Sequence, residues 1–385
     1  MILNEFPQVS EFYKTYWNKK PFIVRKAIDE DVFDNLIDGN SLAGLALEED
    51  IKSRLVITES DHNKWTCHHG PFEEEKFSTL GNKNWSLLVQ NVDQYHTDTA
   101  QLLKSFNFSP RWLMDDIMVS YSAVGGSVGP HTDSYHVFLV QGMGRRKWKV
   151  SNNIIENREY IDSADLLVLK DGFEGEEIEV SKGDVIYIPP HFGHQGVTTQ
   201  EAMTFSVGFL GPKLSEMLAE YSHYLEQNEH LNKRFSGNDL NANSGKFSID
   251  ESAINIIQND LTTTINEEKF ANWVAEYFSI STHEEPEGLK VEEDYLSNDE
   301  LLNFLQNGEL LYRSEHIKIA TTKSVDGTIN LGVYGSSIVI PQRYECIIQW
   351  LNTDHKISIN DLNDKELMII ITELYNKGVL SFEVQ

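Results

Sequence analysis

The chain has 385 residues, of which 40% are hydrophobic and 11% aromatic, an ordinary composition for a soluble globular protein of two or three domains. It has no apolar run of about eighteen residues and no basic-then-apolar N-terminal segment, so we expect neither a transmembrane helix nor a secretory signal. The net charge of −28 disfavours direct nucleic-acid binding and is compatible either with a basic protein partner or with solubility alone.

The first 110 residues predict a mixture of short helices and strands. A helical stretch ends before Pro21 and a strand follows, because the residue before a proline is driven out of the α region. Residues 42–47 predict a helix and residues 55–58 a strand. The only two cysteines, Cys67 and Cys346, lie far apart in sequence and predict free thiols in a reducing cytoplasm.

A histidine-rich segment follows the predicted strand at residues 55–58. His62, Cys67, His68 and His69 could be considered as zinc ligands, but their spacing fits none of the usual zinc patterns. We therefore predict a solvated loop for this segment.

Residues 84–209 predict a series of short strands separated by turn residues. The predicted strands are 84–90, 117–123, 166–169, 177–180, 184–188 and 202–209, together with a hairpin over 129–150 that turns at residues 141–144. Many short strands of this kind are typical of a closed or sandwiched antiparallel sheet, and a jelly roll is the natural candidate. We predict that this domain covers residues 1–211.

The pattern becomes helical after Pro212. Apolar residues recur at helical spacing in residues 214–225, 252–261 and 267–278, and an acidic linker is predicted at 283–293. Beyond it, Ser297 is a predicted N-cap, a strand pair lies near 316–335, and helices at 343–351 and 365–376 precede a terminal strand. The last part resembles a winged helix, and its acidic character favours a protein contact over DNA reading.

His131 and Asp133 are the starting point for a functional site. Two residues apart on a strand, they would leave the same face, which supplies two of the three ligands of a facial triad for iron(II). His136 falls on the opposite face by strand parity. Of the two histidines after Pro189-Pro190, we choose His194 over His191 as the third ligand, because His194 begins the segment leading to the next strand.

Arg146 is the candidate for a second charge in the same site. Strand parity puts it on one face with Trp148 and Val150, and burial of a guanidinium requires an anionic partner such as a carboxylate. Ser120 and Ser122 share a face of the strand before the metal strand, where they either bind a carboxylate or merely relieve crowding. Iron(II) beside a buried arginine predicts 2-oxoglutarate as co-substrate, with oxygen insertion into an unactivated carbon as the reaction and succinate as a product.

At these residues the sequence resembles the Jumonji-C ribosomal oxygenases, in particular bacterial enzymes that hydroxylate an arginine of a large-subunit ribosomal protein. The resemblance extends over most of the chain. It is carried by Tyr16-Trp17, Lys20-Pro21, Asn84 to Gln90, Asp115-Asp116 with Met118 and Ser120, Gly129-Pro130-His131 with Asp133, Gly144-Arg145-Arg146, Tyr187 to Pro190 with His194, and Ser206 to Phe209.

The resemblance implies an α+β fold with three parts. These are a Jumonji-C double-stranded β-helix of cupin-like jelly-roll form in residues 1–211, a helical dimerisation region in 212–290, and a winged-helix-like domain in 291–385. It also implies His131, Asp133 and His194 as iron ligands, and Arg146 with Ser120 as 2-oxoglutarate contacts. We expect Ser122 and Ser206 to assist in binding the co-substrate, and we expect a cytoplasmic homodimer.

Three positions depart from the family pattern. His136 stands where an aspartate is usual, His191 where a glycine is usual, and Thr204 where an asparagine is commoner. The first and third could change the substrate surface or the pocket lining.

The substrate is predicted to be an arginine side chain of a basic ribosomal protein. A guanidinium target needs a carboxylate, for which Asp115 or Asp116 is suitable, and we expect Tyr135 to contact the substrate as well. The alternatives are hydroxylation of a histidine in another ribosomal protein and a non-catalytic cupin-like binding protein. A histone lysine demethylase is disfavoured, because the chain lacks chromatin-reader zinc modules.

Overall fold

The computed structural model describes residues 2–59, 64–161, 166–228, 232–237, 247, 249–265, 268–280, 295–353, 355–362 and 364–382. It divides into two compact units, one ending at Gly211 and the other holding the described residues from Pro212 onward. None of the helices in these ranges is long and apolar enough to cross a membrane.

The first unit is built on one ten-stranded sheet. Its strands are β1 (Ile2–Leu3), β2 (Phe22–Val24), β3 (Ser53–Thr58), β4 (Trp65–His69), β5 (Trp85–Val89), β6 (Met114–Ser122), β7 (His136–Ile154), β8 (Glu176–Ser181), β9 (Val185–Ile188) and β10 (Phe192–Phe209). They run in the order β1-β2-β9-β7-β10-β6-β5-β3-β4, with β8 paired to β7. All pairs are antiparallel except β1 with β2, so the predicted antiparallel jelly roll is confirmed.

Short helices fill the connections of the first unit. They are α1 (Val9–Glu11), α2 (Gly39–Leu45), α3 (Glu74–Ser78), α4 (Val92–Tyr95) and α5 (Thr97–Ala100), with a π-helical turn at Phe12–Tyr16 and 3₁₀ turns at Glu30–Asp34, Gln101–Phe106 and Arg111–Leu113. The core is rich in aromatic rings, among them Phe12, Phe22 and Phe138 around the fully buried Tyr187. Strand β2 begins directly after Pro21, as the sequence predicts.

The predicted hairpin over residues 129–150 is wrong. Strand β7 runs without a turn for 19 residues. Its first half pairs with β9 and its second half with β8, while β10 pairs along both halves. The two glycines that suggested a turn have other uses: a side chain on Gly142 would overlap the ring of Phe205, and Gly144 has a φ of +66°.

Strand β7 has a β-bulge at Gly142, because Gln141 and Met143 pair with the adjacent residues Thr204 and Met203. Across the irregular stretch from this bulge to Arg146, the residues that face the interior cavity change. Before it, the odd-numbered Val137 and Leu139 line the cavity; after it, the even-numbered Arg146 and Trp148 do so. The register with β10 is irregular across the same region. An extra residue in one strand reverses its alternation, so the bulge is what turns Arg146 inward.

Two smaller predictions in the first unit are also wrong. Residues 166–169 form no strand and contribute only an isolated bridge between Leu169 and Tyr160. Residues 65–69, predicted as a solvated loop, form β4 on the edge of the sheet. Both segments are short and irregular in hydrophobic pattern, so pairing with distant strands decides their conformation. His62 lies outside the described residues, and Cys67 forms no disulfide with any of them.

The second unit combines six helices with two small sheets. The helices are α6 (Leu214–Gln227), α7 (Glu251–Ile265), α8 (Glu268–Phe278), α9 (Asn298–Gln306), α10 (Cys346–Thr353) and α11 (Lys365–Asn376). The strands are β11 (Tyr312–Arg313), β12 (Ile319–Lys323), β13 (Ile329–Val333), β14 (Ser336–Ile340) and β15 (Leu380–Ser381), with 3₁₀ turns at Gln342–Tyr344 and Ile359–Asp361. Strands β12, β13 and β14 form one sheet, and β11 pairs with β15.

Helix α8 packs on the three-stranded sheet of the second unit. The Thr322 hydroxyl donates to the Ala271 carbonyl at 2.8 Å, and the Ser337 hydroxyl donates to the Glu276 carboxylate at 2.8 Å. Gly332 lies so close to the helix that an added side chain would overlap the Ala275 carbonyl. The predicted N-cap is confirmed, since Ser297 and Glu300 form a capping box. The predicted linker at 283–293 and the boundary at residue 290 lie outside the described residues.

Candidate metal centre and adjoining cavity

Three side chains meet at one end of a cavity in the first unit. One ligand atom from each of His131, Asp133 and His194 lies within 4.8 Å of the others, and Asp133 Oδ2 is 3.3 Å from His194 Nε2. Within the described ranges this is the one cluster of histidine, cysteine or carboxylate groups with that geometry. The structure thus brings together the three residues that the sequence analysis selected.

Backbone pairing brings the two histidines together. His131 lies in the segment before β7 and forms an isolated antiparallel bridge with His194 of β10, with N–H to carbonyl distances of 3.0 and 2.9 Å. Asp133 accepts a bond from the backbone N–H of His191 at its own carbonyl, 2.7 Å away. The ligands at 131 and 133 are therefore fixed by bonds to the β10 segment and not by a continuous strand.

The two histidine rings are oriented with the same nitrogen facing the cluster. Nδ1 of His131 is 2.9 Å from the Gly129 carbonyl, and Nδ1 of His194 is 3.1 Å from the Phe192 carbonyl. A carbonyl only accepts, so Nδ1 carries the proton in both rings and Nε2 keeps a free lone pair. This is how backbone carbonyls usually orient metal-binding histidines.

The electrostatics also favour a cation at this point. Burial, with a smaller effect from His194, lowers the pKa of His131 to about 4. Burial alone would raise the pKa of Asp133, but the neighbouring His194, followed by His131, outweighs burial and lowers this pKa. At neutral pH the cluster thus contains a neutral His131 and an ionised carboxylate, the forms that bind a metal.

His191 does not join the cluster. Its backbone has a φ of +68°, the left-handed region that a glycine would adopt without strain. Its Nδ1 lies 2.9 Å from Nη1 of Arg158. A guanidinium can only donate, so Nδ1 of His191 accepts this hydrogen bond through its lone pair. The choice of His194 over His191 therefore agrees with the geometry.

A cavity of about 320 Å³ extends from the metal-binding cluster into the sheet. Its walls alternate apolar and polar side chains from β3, β5, β6, β7 and β10, and this volume is within the usual range for a small-molecule site. Met118, Ser120 and Ser122 of β6 all face it, which confirms the predicted strand parity.

Arg146 lines the far part of the cavity and has no anionic partner. Its side chain is 4% exposed, and it forms no ion pair with any residue that the structure describes. Its guanidinium lies over the ring of Trp148, 5.0 Å from the ring centre, and its Nε has no hydrogen-bond acceptor. Burial lowers the pKa of Arg146 to about 10, so it remains charged at neutral pH. A buried, unpaired guanidinium is costly unless a ligand supplies the anion.

The hydroxyl groups around Arg146 differ in their distance from its guanidinium. Nη1 of Arg146 donates to Thr204 Oγ1 at 3.2 Å and makes a longer contact of 3.5 Å with Ser120 Oγ. The Ser122 hydroxyl donates instead to Ser86 at 2.8 Å. Ser206 pairs with Met118 on β6, two residues along the strand from the Thr204–Ser120 pair. All four residues that line the cavity here are polar, but only Thr204 and Ser120 contact Arg146.

The two candidate carboxylates lie at the start of β6, where the pairing with β10 is irregular between Met114 and Ile117, so strand alternation does not assign their faces. Both residues are partly buried. Neither is part of the cavity wall, although Asp116 Oδ1 lies near Gly208. Burial, followed by the charges of Asp93 and Asp115, raises the pKa of Asp116 to about 8.

Tyr135 is part of the cavity wall on the Asp133 side. Burial, with the charges of Asp133 and Asp116, raises the pKa of its hydroxyl. It is therefore a neutral hydroxyl-bearing ring between the metal-binding cluster and Asp116.

Sequence reasoning missed two residues of this region. Arg54 of β3 lines the cavity, and its side chain forms no hydrogen bond or ion pair with any described residue, yet its charge lowers the pKa of Asp133 and Asp116. A lone arginine at the start of the apolar run Leu55-Val56-Ile57 was the available signal. Gln141 is 1% exposed and lies behind Arg146, and the false assignment of a turn at 141–144 concealed it.

The chain is similar in sequence and in structure to known proteins. A family model described as the JmjC domain matches residues 101–217. The chain is 33% identical over 384 residues to the ribosomal protein uL16 3-hydroxylase of Escherichia coli, covering 97% of each chain. It is 39% identical over 223 residues to a probable ribosomal oxygenase of Haemophilus influenzae, covering 57% of this chain and 54% of that protein. A structure of the E. coli ribosomal oxygenase YcfD with cobalt and 2-oxoglutarate superposes with a TM-score of 0.78, at 31% identity over 97% of both chains.

Proposed function

Because the chain belongs to the JmjC-domain ribosomal oxygenase family, we propose that it is an Fe(II)- and 2-oxoglutarate-dependent hydroxylase of an arginine side chain in a large-subunit ribosomal protein. The observation that carries this proposal is the presence in one cavity of a His-Asp-His cluster and a buried, unpaired arginine. The first fits a divalent metal, and the second fits the far carboxylate of a dicarboxylic oxoacid.

His131, Asp133 and His194 would hold the iron. Two imidazoles, each with Nδ1 bonded to a backbone carbonyl, and one carboxylate are the donor set of the facial triads that bind iron(II) in oxygenases. With 2-oxoglutarate and O₂, such a centre puts one oxygen atom into a C–H bond of the substrate and releases succinate and CO₂. The residues around it orient the co-substrate and limit the access of water.

Arg146 would bind the far carboxylate of 2-oxoglutarate. A guanidinium forms two parallel hydrogen bonds with a carboxylate, and the ion pair would compensate the buried charge. Thr204 and Ser120 would contribute hydroxyl groups beside it, since both contact Arg146. Ser122 and Ser206 lie on the same cavity wall, and we propose that they flank the co-substrate on either side.

Asp116 would recognise the guanidinium of the target arginine. Its Oδ1 lies near Gly208 of β10, beside the ring of Tyr135, which lines the cavity. A carboxylate whose pKa is raised to about 8 gains most from the arrival of a cation, because the cation removes the cost of ionising it. We prefer Asp116 to Asp115 because of this position beside Tyr135. The net charge of −28 would also attract a basic ribosomal protein.

The proposal is tested by incubating the enzyme with Fe(II), 2-oxoglutarate and ribosomal proteins from a strain that lacks the gene. We expect one large-subunit protein to gain the mass of one oxygen atom, located on an arginine by peptide fragmentation, with stoichiometric succinate. Enzyme without Fe(II) is the control. An oxygen on a histidine would replace the arginine assignment by the histidine alternative, and 2-oxoglutarate that neither binds nor turns over would favour a binding protein.

We further propose that residues 212–290 form a dimer contact and that residues 291–385 form a winged-helix-like domain. In support of the first, α6 exposes Leu214 and Leu218, which are 77% and 60% accessible, and α7 exposes Leu261 at 62%. Light scattering would test it: Leu218→Glu should convert a dimer to a monomer, whereas the exposed Glu220→Gln should not. A wild-type chain that is monomeric at all concentrations would contradict the proposal.

A further inference from the structure

Gln141 is a buried polar side chain behind the wall of the cavity. It is 1% exposed, lies on β7 directly opposite Thr204 of β10, and does not line the cavity itself. A buried amide is costly unless its donors and its acceptor are all satisfied. What satisfies them here connects the β-bulge to Arg146.

The amide group of Gln141 bridges the two strands at their irregularity. Its Nε2 donates to the Met143 carbonyl at 2.7 Å on β7 and to the Met203 carbonyl at 3.3 Å on β10. Because both partners only accept, the nitrogen of the amide must face them, and the oxygen must face the other way. Met143 immediately follows Gly142, the extra residue of β7 opposite Thr204 and Met203, and it lies within the irregular stretch over which the alternation of β7 reverses.

The oxygen of the same amide orients the Thr204 hydroxyl. Thr204 Oγ1 is 3.3 Å from Gln141 Oε1 and 3.2 Å from Nη1 of Arg146. A hydroxyl has one hydrogen, and Gln141 Oε1 can only accept, so Thr204 donates to Gln141. Its lone pairs are then free to accept from Arg146, which can only donate. The direction of each hydrogen bond in the series is therefore fixed.

We propose that Gln141 is a positioning residue for the co-substrate. It holds the bulge that turns Arg146 into the cavity, and it fixes the hydroxyl that holds the Arg146 guanidinium. It acts through Arg146 and touches neither the metal site nor the cavity. This inference rests on the proposed function only in taking the ligand of Arg146 to be the far carboxylate of 2-oxoglutarate.

A double-mutant cycle on the binding of 2-oxoglutarate tests the proposal. The dissociation constant is measured by calorimetry without O₂, on the full chain loaded with Mn(II), for the wild type, Gln141→Met, Thr204→Val and the double variant. Each single change should weaken binding about fivefold, the worth of roughly one buried hydrogen bond. Since Thr204 is oriented by Gln141, the double variant should be within about twofold of Gln141→Met alone, and not the product of the two effects. Thr204→Ser, which keeps the hydroxyl, should bind as the wild type does.

Two further measurements separate positioning from general damage to the fold. Mn(II) affinity should be unchanged in every variant, because the metal ligands lie apart from this network; a parallel loss of Mn(II) affinity would mean that Gln141 acts on the fold and would overturn the proposal. Thr198→Val is a matched control, since Thr198 is equally buried on β10 and its hydroxyl has no hydrogen-bond partner among the described residues.

Other results of the binding experiments distinguish a failure of this inference from a failure of the proposed function. Multiplicative effects in the double variant, or wild-type binding in Gln141→Met, would overturn the inference while leaving the proposed function intact. A wild-type chain that binds Mn(II) but not 2-oxoglutarate would overturn both. In steady-state assays KM for 2-oxoglutarate should rise with little change in kcat, because the far carboxylate takes no part in the chemical step.

Discussion

The two ends of the cavity are built in different ways. At the metal end, each histidine is oriented by the carbonyl of a residue two positions earlier, Gly129 for His131 and Phe192 for His194. At the other end, Arg146 is oriented by side chains 26 and 58 positions away in sequence, Ser120 and Thr204, and by a bulge in its own strand. One end is arranged mainly by backbone hydrogen bonds, and the other by side chains and the register of three strands.

This difference predicts how each end responds to substitution. Removing a ligand at the metal end leaves its neighbours oriented, because their own carbonyl bonds remain, so the loss should be confined to the metal. Removing a group at the arginine end leaves a buried charge or a buried hydroxyl unsatisfied, and the effect should extend to its partners. The predictions below test this contrast, beginning with the largest expected effect.

The largest effect is expected from His131→Ala. Loss of one of three ligands should lower metal affinity and 2-oxoglutarate turnover by more than about 100-fold, since even second-sphere changes cost up to that amount. Succinate release and Mn(II) titration would measure it. His191→Gly is the matched control, because glycine suits the φ of +68° and the His191 side chain is not in the cluster. Turnover that persists in His131→Ala, or is lost in His191→Gly, would refute the assignment of the triad.

The next largest effect is expected from Arg146→Gln. Loss of a buried charge that pairs with the co-substrate should raise KM for 2-oxoglutarate at least about 30-fold, the equivalent of 2 kcal/mol. Arg146→Lys should recover only part of this, because an ammonium lacks the planar fork. Mn(II) affinity should stay unchanged in both variants. Equal effects on metal and 2-oxoglutarate binding would contradict the separation of the two ends.

Sequence patterns were sufficient for the parts of the fold that follow a simple period. Alternation on β6 and on the second half of β7 correctly assigned Ser120, Ser122, Arg146 and Trp148 to one interior surface. The pattern could not show that the two halves of β7 form one strand. A glycine pair between two apolar runs is equally consistent with a turn and with a bulge, and contacts with Phe205 and Glu201 on β10 decide between them.

The candidate site, like the fold, was predictable from the sequence only in part. The H-x-D pair and His194 could be chosen because few histidines follow a strand in the required place. Strand parity, however, was not the physical reason that His131 and Asp133 converge, since both precede β7 and are held by bonds to the β10 segment. Gln141 and Arg54 could not be recognised, because their roles depend on which strands are neighbours.

A smaller effect is expected at the opening of the site, where Asp116 is proposed to bind the substrate guanidinium. Asp116→Asn should raise KM for the ribosomal substrate about tenfold at pH 8.5, and Asp115→Asn should change it by less than about twofold, since a hydrogen bond to a charged group contributes roughly 1.5 kcal/mol. Both variants should bind 2-oxoglutarate normally. A larger loss in Asp115→Asn would reverse the assignment of the two carboxylates.

The same residue should give the reaction a pH dependence. The pKa of Asp116 is raised to about 8, so the ionised form that attracts a guanidinium becomes complete only as the pH rises through 8. In the wild type, kcat/KM for the protein substrate should therefore increase between pH 6.5 and 8.5, and Asp116→Asn should remove that increase. Asp115→Asn removes a neighbouring charge and should move the rise to lower pH. A profile that is identical in all three proteins would exclude Asp116 from binding.

The smallest effect on the site is expected at His136, the first residue of β7, which is not part of the cavity wall. It is stacked on Trp17, with ring centres 3.5 Å apart, and its Nδ1 is 2.8 Å from the Tyr187 hydroxyl. Burial lowers its pKa to about 3. Below pH 6.5 the unfolded chain binds a proton at this position that the folded chain does not bind until about pH 3. The stability that the buried, neutral His136 contributes is therefore complete above pH 6.5 and is lost as the pH falls.

His136→Asn isolates this contribution. The amide can still bond to Tyr187, but it loses the aromatic stack, so the variant should be less stable at pH 7.5 by about 1 kcal/mol. Between pH 6.5 and 4.5 the wild type should lose up to about 1.4 kcal/mol per pH unit more than the variant does, and denaturant unfolding at both pH values would measure it. Because His136 bonds to the core and to neither end of the cavity, Mn(II) and 2-oxoglutarate affinities should be unchanged at pH 7.5. If either affinity falls, β7 couples the two ends, and the contrast between a metal centre fixed by backbone bonds and an arginine fixed by side chains no longer holds.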